Sequence, residues 1–131
     1  MVGLPVITAS RVQVWGQGPR GLWMEAVRQS PHKPRPWINL GVAYVQDGAN
    51  DLAREAFTHA IALAAQPERD RVEGPMRGRH VAMLNLAILE AQAGRYDDAM
   101  AITVQIQPRT EGRSLVNRLE AQWRAERAQG G

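Results

Sequence analysis

The sequence predicts an all-α protein assembled from consecutive antiparallel helix pairs. Three observations predict it. Apolar residues recur at helical spacing and do not alternate as half-buried strands do; Trp37, Leu40 and Tyr44, at i, i+3 and i+7, form one such stripe. A short glycine-centred turn interrupts the apolar pattern at Gly48 and again at Gly94. Finally, the stretch around the first turn recurs 46 residues later, Asn39-Leu40 returning as Asn85-Leu86.

The totals agree with a single domain. The 131 residues are 44% hydrophobic, enough apolar material for a core. The formal charge is only +3, with Lys33 the sole lysine among many arginines. Acidic residues are interleaved with them, as in Glu68-Arg69-Asp70-Arg71. A nucleic-acid binder concentrates its positive charge on one face or stripe, so this pattern disfavours DNA or RNA as the partner. With no cysteine, disulfides, zinc–thiolate sites and thiol nucleophiles are excluded. No apolar run approaches the ~20 residues of a membrane-spanning helix. Residues 2–9 are apolar but have no basic leader before them, a poor match to a signal peptide.

The first full pair starts at the stripe of Trp37. Gly41 lies inside its first helix, where glycine costs about 1 kcal/mol relative to alanine. Close approach of the second helix would compensate, with Ala53 and Ala60 leaving room. Gly48 suits a left-handed C-terminal cap, and Asp51 then meets the positive end of the second helix. The order Trp37, Leu40-Gly41, Tyr44, Ala53, Phe57, Ala60, Pro67 resembles the tetratricopeptide repeat, with only the proline displaced, by two residues. The resemblance implies a right-handed superhelix of antiparallel helix pairs that serves as a binding scaffold.

The second copy maps Gln46 to Gln92, Gly48 to Gly94, Asp51 to Asp97 and Ala53 to Ala99, while Gly41 becomes Ala87. It is degenerate, with Met83, Glu90 and Thr103 in place of the tryptophan, tyrosine and phenylalanine. Its offset exceeds the usual period of about 34 residues. The surplus falls at residues 68–79, read either as an exposed loop or as a first helix lengthened from Pro75. Before the first pair, Trp23 and Ala26 lie 34 residues ahead of Phe57 and Ala60. The predicted organisation is therefore a leader at 1–18 and a helical domain at 19–131. Within the domain come a half-repeat (19–30), two repeats (35–66 and 75–107) and a C-terminal capping helix (112–128). The last carries Leu115, Leu119 and Trp123 on one face and Arg118, Glu120, Arg124, Glu126 and Arg127 on the other. So few repeats are marginal alone, and self-association or docking on a larger partner would add stability.

A second resemblance covers residues 8–41. Arg11, Trp15, Leu22-Trp23, Ala26-Val27, Ser30-Pro31-His32-Lys33 and Arg35-Pro36-Trp37, ending in Asn39-Leu40-Gly41, look like a particular junction. It joins the last membrane helix to the tetratricopeptide tail in bacterial multi-spanning proteins related to protein O-mannosyltransferases. The resemblance implies an extracytoplasmic or periplasmic setting and a membrane-protein partner. The sequence as it stands, lacking a signal peptide, reads as cytoplasmic. The alternative function is then the detached soluble tail of a membrane glycosyltransferase-like protein.

In tetratricopeptide proteins the first helix of each pair lines the concave groove. The equivalent positions here are Arg35, Ile38, Asn39, Val42 and Gln46, then Leu84, Asn85, Ile88 and Gln92. Asn39 and Asn85 each donate and accept, and could pair with the backbone of an extended protein or peptide partner; equally, they could bridge neighbouring helices without any ligand. The basic clamp for a terminal carboxylate seen in chaperone-binding relatives is absent, since Val42 and Ile88 occupy its positions. No catalytic, cofactor or metal constellation stands out. His32, His59 and His80 have no metal-ligand spacing, and Asp97-Asp98 serve a helix dipole. Gly16-Gln17-Gly18 lacks the Lys-Ser/Thr of a phosphate loop. Arg77, Arg79 and His80, near Arg69 and Arg71, are read as a solvated basic face in preference to an anion site.

Overall fold

A computed structural model describes residues 19–65, 78–106 and 113–130. Among these residues there are six helices and no strand: α1 Arg20–Gln29, α2 Pro34–Gln46, α3 Asn50–Ala64, α4 Gly78–Gln92, α5 Tyr96–Thr103 and α6 Arg113–Gly130. The leader at 1–18 and the surplus segment, apart from Gly78 and Arg79, lie outside the described residues.

Each helix packs on the next in sequence, and α2 also touches α4. That extra contact sets the first helices of the two pairs side by side. The α2–α3 turn is closed by a glycine in the left-handed region, Gly48 at φ 79°. Its N–H donates to Val45 O at 3.0 Å, and the next N–H, of Ala49, reaches Tyr44 O at 2.8 Å. The α4–α5 turn repeats this with Gly94 at φ 85°, Gly94 N–H on Ala91 O and Arg95 N–H on Glu90 O, both 2.9 Å. Both are the two-bond C-terminal cap that satisfies the last helical carbonyls. Asp51 and Asp97-Asp98 then occupy the first turns of α3 and α5, where carboxylates complement the dipole.

The glycine inside α2 is explained by a ring. A Cβ on Gly41 would come within 2.5 Å of Phe57 Cε1, and Phe57 is fully buried. The close approach is thus made by the Phe57 side chain of α3. Trp37 works at the other end of the pair. Its indole N–H donates to Pro31 O at 2.8 Å, and its ring centroid lies 4.1 Å from that of His59. Arg20 ties α1 to the end of α2, over the Tyr44 ring and 3.8 Å from Asp47.

The core is centred on α4, ten of whose 15 residues are buried. The larger cluster joins Val81, Leu84 and Ile88 of α4 to Ile38, Ala60 and Ala99, and to Val116, Leu119 and Trp123 of α6. A smaller one gathers Val42, Ala53, Phe57 and Leu89. With Val116, Leu119 and Trp123 buried, α6 keeps Arg118, Arg124 and Arg127 outward. Thr103 donates to Glu120 Oε2 at 2.6 Å, Tyr96 OH donates to Glu126 at 3.1 Å, and Arg127 pairs with Asp97, so polar bonds also fasten α5 to α6.

Candidate partner-binding face

The nine groove positions divide sharply by exposure. Ile38, Asn39 and Val42 on α2 and Leu84, Asn85 and Ile88 on α4 are all buried, none more than 3% exposed. Arg35, Gln46 and Gln92 are on the surface. Helical spacing places residues on one face but says nothing of what lies over that face. The contact between α2 and α4 and the cluster around Ile38 bring the six central residues into the interior.

Two asparagines therefore lie in an apolar setting, where an unsatisfied amide group costs about 1–3 kcal/mol. Asn85 has an interaction within the chain. Asn39 Oδ1 is buried, and no donor among the described residues reaches it. A buried acceptor without a donor is rare and calls for an explanation.

Elsewhere on α4 a departure from the repeat pattern has a structural explanation. Glu90 stands where Tyr44 stands in the first copy. Its side chain, 12% exposed, accepts from Arg54 Nε at 3.0 Å and from Arg95 Nε at 2.6 Å. Burial pushes the Glu90 carboxyl up, but the hydrogen bonds and charges of Arg54 and Arg95 outweigh it and hold it below the usual carboxylate range. Arg54 also pairs with Asp51, and its guanidinium is raised, chiefly by the Glu90 bond. Sequence alone marks Glu90 as a misfit. The signal was available in Arg54 and Arg95, but nothing in their spacing says that they converge.

Elsewhere the arginines behave as interleaving suggests: Arg28 pairs with Glu25 and Arg124 with Glu120. No group of three His, Asp or Glu side chains among the described residues is close enough to hold a metal ion. No described helix is long and apolar enough to cross a membrane. The described fold is thus that of an all-helical protein of consecutively packed helices. No protein-family model matches the chain, and neither curated proteins nor solved structures provide a match.

Proposed function

We propose that the chain is a protein-interaction scaffold of the tetratricopeptide type, a right-handed stack of helix pairs that holds an extended partner segment against the face formed by α2 and α4. Its role is binding, not catalysis. The observation that carries this proposal is the pair Asn39 and Asn85. They occupy equivalent positions on two touching helices, and Asn39 keeps a buried acceptor for which the described residues offer no donor. A backbone N–H of an extended segment is the complementary group.

Two such amide bonds contribute about 1–3 kcal/mol together, whereas micromolar binding needs about 8.2 kcal/mol. The exposed Arg35, Gln46 and Gln92 supply the remainder. Ile38, Val42, Leu84 and Ile88 are already buried within the chain and gain no further apolar burial from a partner; reaching the asparagines requires the face to open, and association is slow compared with rigid docking.

The test is selection of extended peptides from a displayed library, followed by titration of the selected peptides into the Asn39→Ala/Asn85→Ala variant. An affinity loss of about tenfold with unchanged helicity is expected. Equal affinity for both proteins would place the interface elsewhere. Asn39→Ala alone sharpens the test: removing an unsatisfied acceptor leaves stability unchanged or raised, while binding weakens.

A further inference from the structure

Of the basic cluster around the start of α4, Arg79 and His80 fall within the described residues. Arg79 and His80 are only partly exposed. Together with Met83 and Gln105 they line a cleft of about 410 Å³. Met83 lies four residues after Arg79 and three after His80, so it neighbours each of them on the surface of α4. Gln105 comes from the turn after α5, where its Nε2 donates to Ala101 O at 3.1 Å and so fixes the amide at the rim.

The chemistry of this lining is one-sided. It presents a guanidinium, an imidazole and an amide, with no carboxylate among the described lining residues. The described first turn of α4 also carries no acidic residue. Arg79 and His80 each have an interaction within the chain. A guanidinium carries five donors in a planar fork. Met83, 4% exposed, supplies an apolar wall. The volume lies at the lower end for small-molecule sites, too small for a folded partner.

We propose that this cleft binds a small oxyanion-bearing molecule, a carboxylate or a phosphate. Arg79 and His80 contact the oxyanion, Gln105 orients it, and Met83 packs on whatever short carbon body it has. The site does not rest on the peptide-binding proposal, and neither asparagine takes part in it.

Two-dimensional ¹H–¹⁵N spectra of the full chain, titrated with inorganic phosphate and separately with succinate at matched ionic strength, test this. Saturable shifts confined to the backbone amides of Arg79 to Val81 and the Gln105 side-chain amide are expected. In the Arg79→Gln/His80→Gln variant the midpoint rises about tenfold or more, as loss of charge-assisted bonds dictates. If that variant does not fold, Gln105→Ala, at an exposed position, raises it about threefold. Saturation by phosphate alone or by succinate alone identifies the oxyanion and supports the site. Saturation by neither, shifts linear in concentration across all arginines, or a midpoint unchanged in the variants overturns it.

Discussion

Gly41 and Glu90 show how much depends on single side chains here. With Phe57 Cε1 only 2.5 Å from the place a Cβ would take, Gly41→Ala forces a fully buried ring to shift. Overpacking costs about 1–3 kcal/mol, against about 1 kcal/mol of helix propensity gained. A net loss of up to about 2 kcal/mol is expected in urea denaturation. Because the two residues touch, Phe57→Leu should cost less in the Gly41→Ala background than in the wild type, a coupling read by a double-mutant cycle. Glu90→Gln removes a carboxylate that accepts from two guanidiniums, a loss of about 1.5–3 kcal/mol at pH 7. The folded carboxyl is depressed below 4.5, so its contribution is present above the unfolded value and vanishes as pH falls through the folded one. The gap in Tm between wild type and Glu90→Gln should therefore be constant above about pH 5.5 and close on acidification below that. A gap independent of pH down to 2 would show that the carboxylate charge is not what the arginines hold.

At the scale of elements, the two turns are equivalent devices. Gly48 and Gly94 both have positive φ and both allow the same pair of capping bonds. A left-handed conformation costs an L-residue about 1–2 kcal/mol. Gly48→Ala and Gly94→Ala should each lower stability by that amount, and additively, because the two turns share no partner. Strong non-additivity in chemical denaturation would mean that the turns are coupled through the stack. Helix α6 depends on one large side chain. Trp123 is fully buried against the main cluster, and Trp123→Ala should cost about 3–5 kcal/mol. Trp123→Phe should cost much less, since the indole Nε1 has no acceptor among the described residues and its removal forfeits no hydrogen bond there.

For the molecule as a whole, α4 is the shared element. It touches α3, α5 and α2, and its buried residues belong to both clusters. Hydrogen exchange should therefore find the amides of α4 the most protected, opening only with global unfolding. Those of α1, which has one buried residue, should exchange through local fraying at lower free energy. If α1 and α4 exchange at the same free energy, α1 belongs to the same cooperative unit as the core.

The helical class, the two glycine turns and the amphipathic α6 are legible in the order of the residues. These follow from local rules: a 3.6-residue period, a backbone that only glycine adopts readily, and charge at helix ends. The sequence also marks Gly41 as a point of close approach to the second helix, which the Phe57 ring of α3 makes. The burial of the central groove positions, the hold of Arg54 and Arg95 on Glu90, and the cleft lined by Arg79 and His80 emerge from packing alone. Each depends on which helices meet across dozens of residues. A periodic pattern assigns a residue to a face, but only packing decides whether that face meets solvent, a charge or another helix.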